Sequence, residues 1–130
     1  MKLLITGAFS ATAEQLDMLS SLGFELMLQK DERGVPECDF SEADAVICNG
    51  LFLYHDISEF KKLKFIQLTS AGLDRVPLDE IRKRGIALFN ARGVYSMPMA
   101  ELALAGTLSL YKHLNTFSEN QKAHMWQKDR

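Results

Sequence analysis

"LKFIQLTSAGLDRVPLDEIRKRGIALFN", residues 63–90, is the stretch that decides the fold. Residues 63–69 form a short apolar run of the kind a strand buried on both faces requires. "PLDEIRKRG", 77–85, has proline in its first turn and glycine at its end, the asymmetry of a short helix. "IALFN", 86–90, reads as the next strand. Strand, helix and strand in succession imply a right-handed crossover between parallel neighbours. Between the first strand and the helix stands Thr69-Ser70-Ala71-Gly72, whose small side chains leave main-chain N–H groups uncovered. Such groups beyond a strand can hold an anion. The plainer reading is a tight turn, with Gly72 at positive φ and Asp74 as a local cap. The stretch by itself leaves both readings open.

Upstream the same alternation continues. "KLLIT" (2–6), "FELMLQ" (24–29) and "ADAVICN" (43–49) read as strands, the last closed by Asn49-Gly50. "ATAEQLDMLSSLG" (11–23) has Leu16, Leu19 and Leu22 at helical spacing and Gly23 as a stop. "DERGVPECDF" (31–40) is a polar loop. Strands alternating with helices predict an α/β fold with an open parallel sheet of about five strands and flanking helices. Downstream the pattern changes to one long helix over 97–117, "MPMAELALAGTLSLYKHLNTF", with Ser96 as N-cap, Pro98 in the first turn and Glu101 near the positive end of its dipole. Met99, Leu102, Gly106 and Leu110 lie on one side of it, and Leu104, Leu108 and Tyr111 on another. A helix apolar all round must be covered all round, so another domain or a second copy is expected against it. The remaining residues turn polar.

The bulk numbers exclude several classes. A chain of 130 residues with 47% apolar and 25% charged side chains is ordinary for a globular protein, and its net charge of −2 offers no electrostatic case for nucleic acid or an anionic membrane surface. No apolar window reaches the ~18 residues of a membrane span. Cys38 and Cys48 show no C-x-x-C spacing, which points to a reduced, cytoplasmic protein. His55, His113 and His124 form no metal motif, and no metal is expected.

Ligands of an open parallel sheet sit beyond the carboxyl ends of its strands, where three stretches fall. "TGAFSAT" (6–12) is faintly like a flavodoxin phosphate loop, and its plainer reading is a turn with Ser10 or Thr12 capping the next helix. "CNGLF" (48–52) brings Gly50 and Leu51 to such an end, as ligand contacts or as a plain turn. The third stretch is 69–74. Neither G-x-G-x-x-G nor G-x-x-x-x-G-K-[ST] occurs, and Asn49 stands where a receiver domain needs a phospho-accepting Asp. The acidic pairs Asp31-Glu32 and Asp79-Glu80 read as solvated faces.

Residues 63–114 taken together resemble the D-isomer-specific 2-hydroxyacid dehydrogenases. The likeness rests on the leucine- and lysine-rich strand, the small-small-Gly-x-Asp loop, "RGI" leading the next strand, Asn90-Ala91, and "AE" opening a long apolar helix. The polar run ending in Trp126 resembles the stretch just before that family's nucleotide domain. The resemblance implies a flavodoxin-like substrate-binding domain (1–93), a long interdomain and dimerisation helix (94–118) and a polar tail (119–130) leading toward a nucleotide-binding domain. It implies reversible hydride transfer between the nicotinamide of NAD or NADP and a small 2-keto or 2-hydroxy acid. The family's substrate-binding Arg and its His–Glu acid/base pair lie in or after the nucleotide domain, with its G-x-G-x-x-G. The 130 residues stop before them, so no catalytic or cofactor-binding residue is expected here, and His113 and His124 are not the catalytic His. On the substrate side, Ser70, Ala71 and Gly72 match the loop whose N–H groups hold the substrate carboxylate. Gly50 and Leu51 match the loop that shapes the pocket, and Tyr95 matches a tyrosine that approaches substrate in lactate-type members. The helix over 97–117 matches the homodimer-forming connector.

The expectation is therefore the substrate-binding portion of such an enzyme, incomplete and inactive alone. Two rivals remain. One is a stand-alone flavodoxin-like module for a small acid or flavin; the other is a protein-interaction domain working through the apolar helix.

Overall fold

The computed structural model describes residues 1–127. The chain divides into two compact units, Met1–Arg92 and a second beginning at Gly93. The first contains β1 (Lys2–Thr6), α1 (Ala13–Ser21), β2 (Glu25–Gln29), β3 (Ala45–Cys48), β4 (Phe65–Leu68), α2 (Leu78–Lys83) and β5 (Ala87–Phe89). Three single 3₁₀ turns, Phe40–Glu42, Leu51–Leu53 and Ile57–Glu59, fill the connections around β3 and β4. The strands form one sheet in the order β2-β1-β3-β4-β5, every pair parallel. This is the flavodoxin-like order, and the chain reverses its direction of winding between β1 and β3.

Alternation along the strands sends successive side chains to opposite faces. Leu4, Val46, Cys48, Ile66 and Leu68 join Leu51, Phe60 and Ile81 in the larger core. Phe60 is wholly buried there and stacks on Phe40, with ring centroids 4.8 Å apart. Leu3, Ile5 and Ala45 face the other way, where Leu16 and Leu19 of α1 pack on them. Both faces of the central strands are covered, which is why those strands read as unbroken apolar runs.

The element ends follow the sequence closely. Thr12 caps α1 in a reciprocal box: its hydroxyl accepts from the Gln15 N–H, while the Gln15 side chain accepts from the Thr12 N–H. Gly23 and Gly85 end α1 and α2 at φ of 89° and 65°, the left-handed region where a Cβ would be strained. Gly72 is different: its φ is not in that region. What a side chain there would meet is the Asp74 carboxylate, 2.6 Å from the Cβ position. Nor does Asp74 cap α2, whose N-cap is Pro77 without a side-chain bond.

The second unit corrects the single long helix. Helix α3 spans Ser96–Tyr111 and α4 spans Leu114–Lys122, with His113 between them at φ 53°. A left-handed residue cannot continue the i→i−4 ladder, so the helix breaks before residue 117 is reached. The stretch beginning at 119 is likewise helical as far as Lys122. The N-cap of α3 is Tyr95, and Ser96 is its first helical residue. Helix α3 buries none of its residues; Leu102, Leu104 and Leu110 are 68%, 61% and 74% exposed.

Candidate functional site

The carboxyl end of the sheet carries a cleft of about 750 Å³, lined by residues that follow β1, β2, β3 and β4. It opens at the β1/β3 reversal, where neighbouring connections leave on opposite faces and the strand ends are uncovered. Gly7 and Ala8 line it from β1, Lys30 to Arg33 from β2, Asn49, Gly50, Leu53 and Tyr54 from β3, and Arg75 from the loop after β4.

Gly7 lets the wall close. Its N–H donates to the Gln29 carbonyl at 2.9 Å, and a Cβ there would lie 2.0 Å from the carbonyl oxygen of Lys30. Only glycine permits that approach.

Glu32 organises the floor. One carboxylate oxygen accepts from the Asn49 N–H and from the Thr6 hydroxyl, each at 2.7 Å, and the other accepts from the Gly50 N–H at 2.7 Å. Thus both oxygens of a half-buried carboxylate are held, two of the three donors being main-chain groups at the end of β3. Glu32 is therefore no solvated acid, contrary to the reading of the Asp31-Glu32 pair. Asp31 does face water; the N–H and then the side chain of Arg33 hold its carboxyl below the usual range. Arg75 reaches back across the cleft edge to donate to the Asn49 Oδ1 at 3.1 Å. Under the floor, burial first and the Glu32 charge second push the Cys48 thiol well above its ordinary range. A buried, protonated thiol is no nucleophile.

The sequence-derived residues divide among four places. Gly50 lines the cleft, its N–H engaged by Glu32. Leu51 does not shape the pocket with its side chain, which is wholly buried in the larger core. Ser70, Ala71 and Gly72 sit beyond β4 and do not line the cleft themselves; Arg75, in the same loop, does. In this loop every carbonyl is engaged. That of Ser70 accepts from the Ala91 N–H at 2.9 Å, that of Ala71 from the Asn90 amide at 2.7 Å, and that of Gly72 from the Ser70 hydroxyl at 3.1 Å. The N–H groups of these three residues donate to nothing among the described residues. A loop with its acceptors tied and its donors open is chemically an anion cradle. Tyr95 belongs to the second unit, at the N-cap of α3 with its side chain about half exposed. Thr6, Glu32, Asn49 and Arg75 were not singled out from sequence as site residues.

The turn after β1 lacks the glycine-rich pattern of a dinucleotide site. At the helix N-terminus that follows β1, where a pyrophosphate would rest, the Thr12 and Gln15 N–H groups are taken by the capping box, and the preceding turn has a single glycine held against Lys30. Among the described residues no group of three or more His, Cys, Asp or Glu could hold a metal, and no helix is long and apolar enough to cross a membrane.

Comparison with known proteins gives a consistent picture. The chain is 30% identical over 104 residues to a hydroxypyruvate reductase of Thermotoga maritima, covering 78% of this chain and 33% of that protein. It is 33% identical over 73 residues to a D-3-phosphoglycerate dehydrogenase of Dictyostelium discoideum, covering 56% of this chain and 18% of that one. The chain thus spans a third or less of the length of the curated relatives it matches. In fold it resembles D-lactate dehydrogenase from Aquifex aeolicus, solved with NAD and lactic acid, at a TM-score of 0.76 and 22% identity over 98% of this chain and 39% of that one. A D-isomer specific 2-hydroxyacid dehydrogenase family protein from Aeromonas salmonicida gives a TM-score of 0.70 at 24% identity, covering 99% of this chain and 41% of that chain. The family model for the D-isomer specific 2-hydroxyacid dehydrogenase catalytic domain matches residues 9–128, and with nearly its whole length so matched, the chain belongs to that family.

Proposed function

We propose that this chain is the substrate-binding portion of an NAD(P)-dependent D-2-hydroxyacid dehydrogenase. The observation that carries the proposal is the loop 70–72, whose carbonyls are all engaged and whose N–H groups are open. A 2-keto or 2-hydroxy acid would place its carboxylate on those N–H groups, which its small side chains leave accessible. Tyr95 would approach the same substrate, and Gly50 would border it from the cleft. The nicotinamide cofactor, NAD or NADP, would be held outside these 130 residues, which contain no G-x-G-x-x-G. The acid/base pair and the substrate-binding Arg would come from the same place. The exposed apolar sides of α3 would be covered by that nucleotide domain and by a second copy of the chain in a homodimer. Two unpaired cysteines, Cys38 and Cys48, suit a cytoplasmic enzyme.

The test is a titration of the 130-residue chain with pyruvate, followed by ¹⁵N NMR, beside a reductase assay with NADH and NADPH. The expected result is movement of the Ala71 and Gly72 amides with no turnover. Turnover by the pure chain would overturn the division of labour; unmoved amides would overturn the carboxylate site. A yellow preparation carrying flavin would instead support the flavodoxin-like module.

A further inference from the structure

We propose that Arg75 and Lys30 form a subsite for a second carboxylate on the substrate, so that the preferred ligand is a 2-keto acid with an anionic far end. This deepens the reading above and rests on it. The cleft carries positive charge left over. Three cations and two carboxylates line the cleft, in a chain whose net charge is −2. Both carboxylates are already engaged: Glu32 accepts three hydrogen bonds, and Asp31 accepts from the N–H and Nε of Arg33 at 3.0 and 3.3 Å. Neither Lys30 nor Arg75 has a carboxylate within ion-pair reach among the described residues.

The guanidinium of Arg75 and the backbone of Lys30 are each held in place. Arg75 donates through one terminal nitrogen to the neutral Asn49 Oδ1, which orients the guanidinium and leaves its other donors available. A planar fork so oriented suits a carboxylate taken bidentately. Lys30 is anchored by its backbone, the N–H donating to Glu37 Oε1 at 3.0 Å and the carbonyl pressed against Gly7, and the residue borders the cleft. Arg75 also stands three residues after Gly72. One loop therefore carries both the open N–H groups for the first carboxylate and the guanidinium for the second. A 2-keto acid with an uncharged far end would leave both cations unanswered at the cleft edge.

The experiment is a parallel titration of the 130-residue chain with 2-oxoglutarate and with 2-oxohexanoate, which has an uncharged end. Amide resonances of Ala71 and Gly72 report the first carboxylate, and the Arg75 side-chain Nε–H reports the second. The expected result is roughly tenfold tighter binding of 2-oxoglutarate, a preference that shrinks as salt is raised. Arg75→Gln should remove most of that preference, and Arg75→Lys should retain part of it. Both substitutions fall on an exposed side chain, and an unchanged amide spectrum would confirm the fold. Equal affinities in the native chain would overturn the subsite, as would a preference that survives Arg75→Gln combined with Lys30→Gln. If 2-oxohexanoate moves the Ala71 and Gly72 amides and 2-oxoglutarate binds no better, only the subsite falls. If neither acid moves them, the carboxylate cradle falls too.

Discussion

The two units of this chain use their apolar side chains in opposite ways. In the first, Leu4, Val46, Leu51, Phe60 and Ile66 are wholly buried, and the sheet carries a core on each face. In the second, neither α3 nor α4 buries a residue, although α3 contains five leucines or methionines more than 60% exposed, Met97, Met99, Leu102, Leu104 and Leu110. A unit with its own core is stable through contacts written into its own sequence. A helix apolar on several sides and covered on none has a sequence suited to surroundings that it does not itself provide.

The sharpest way to break this comparison is to truncate one large side chain in each unit. Phe60→Ala should destabilise the sheet unit by about 3–5 kcal/mol in urea unfolding, since it empties a packed aromatic site. Leu102→Ala should change the same transition by less than about 0.5 kcal/mol in dilute solution. A comparable loss at Leu102 would mean that α3 is already covered under the conditions of the assay. A loss that grows with protein concentration would identify the cover as a second copy.

Next in size comes Gly7→Ala. The added methyl must displace the Lys30 carbonyl, a backbone atom 2.0 Å away, at a cost of about 2–3 kcal/mol. Hydrogen exchange should quicken in β1 and β2 while α3 and α4 keep their native rates. Glu32→Ala should cost about 1–3 kcal/mol by leaving the Asn49 and Gly50 N–H groups without an acceptor. A fall in stability below about 0.5 kcal/mol would show that water replaces the carboxylate with little loss.

The smallest effect concerns acid. The Lys2 N–H donates to the Asp44 carboxylate at 2.9 Å, and this bond first, then the Lys64 charge, holds the Asp44 carboxyl below its ordinary value. A depressed carboxyl stabilises the fold above the unfolded-state value, roughly pH 4, and that contribution is lost as pH falls through the lower folded value. Asp44→Asn should therefore be less stable than the native chain at neutral pH, with the gap closing below about pH 4. A gap that persists at pH 2 would assign the loss to packing.

The contrast between the units also explains what could be read in advance. The three central strands, β1, β3 and β4, were legible because parallel strands covered on both faces appear as short continuous apolar runs, while the edge strands β2 and β5 carry similar runs with less burial. The ends of α1 and α2 were legible because Gly23 and Gly85 supply the left-handed turn residue. The break at His113 was not, since neither Lys112 nor His113 is a helix-breaking residue type and the stretch around them keeps its apolar spacing. Glu32 was hidden for a different reason. Its partners are 17, 18 and 26 residues away, and two of them are main-chain N–H groups, which leave no trace in the identity of the residues that own them. Leu51 misled because its neighbour Gly50 does line the cleft, while the 3₁₀ turn starting at Leu51 carries the leucine side chain into the core. The open N–H groups of 70–72 were legible in kind, through three small residues in a row, though the bonds that tie up their carbonyls were not.

The clasp on Glu32 has a genetic side. Any residue but proline at positions 49 and 50 still presents an amide hydrogen, so those two codons can change widely without unfastening it. The carboxylate has no such substitute: Asp is one methylene short, and Gln keeps a single acceptor where the clasp uses two. The clasp's dependence on residue identity therefore sits in two codons, those of Glu32 and of Thr6, whose hydroxyl is its third donor. A library of variants selected for folding should tolerate far more at 49 and 50 than at 32.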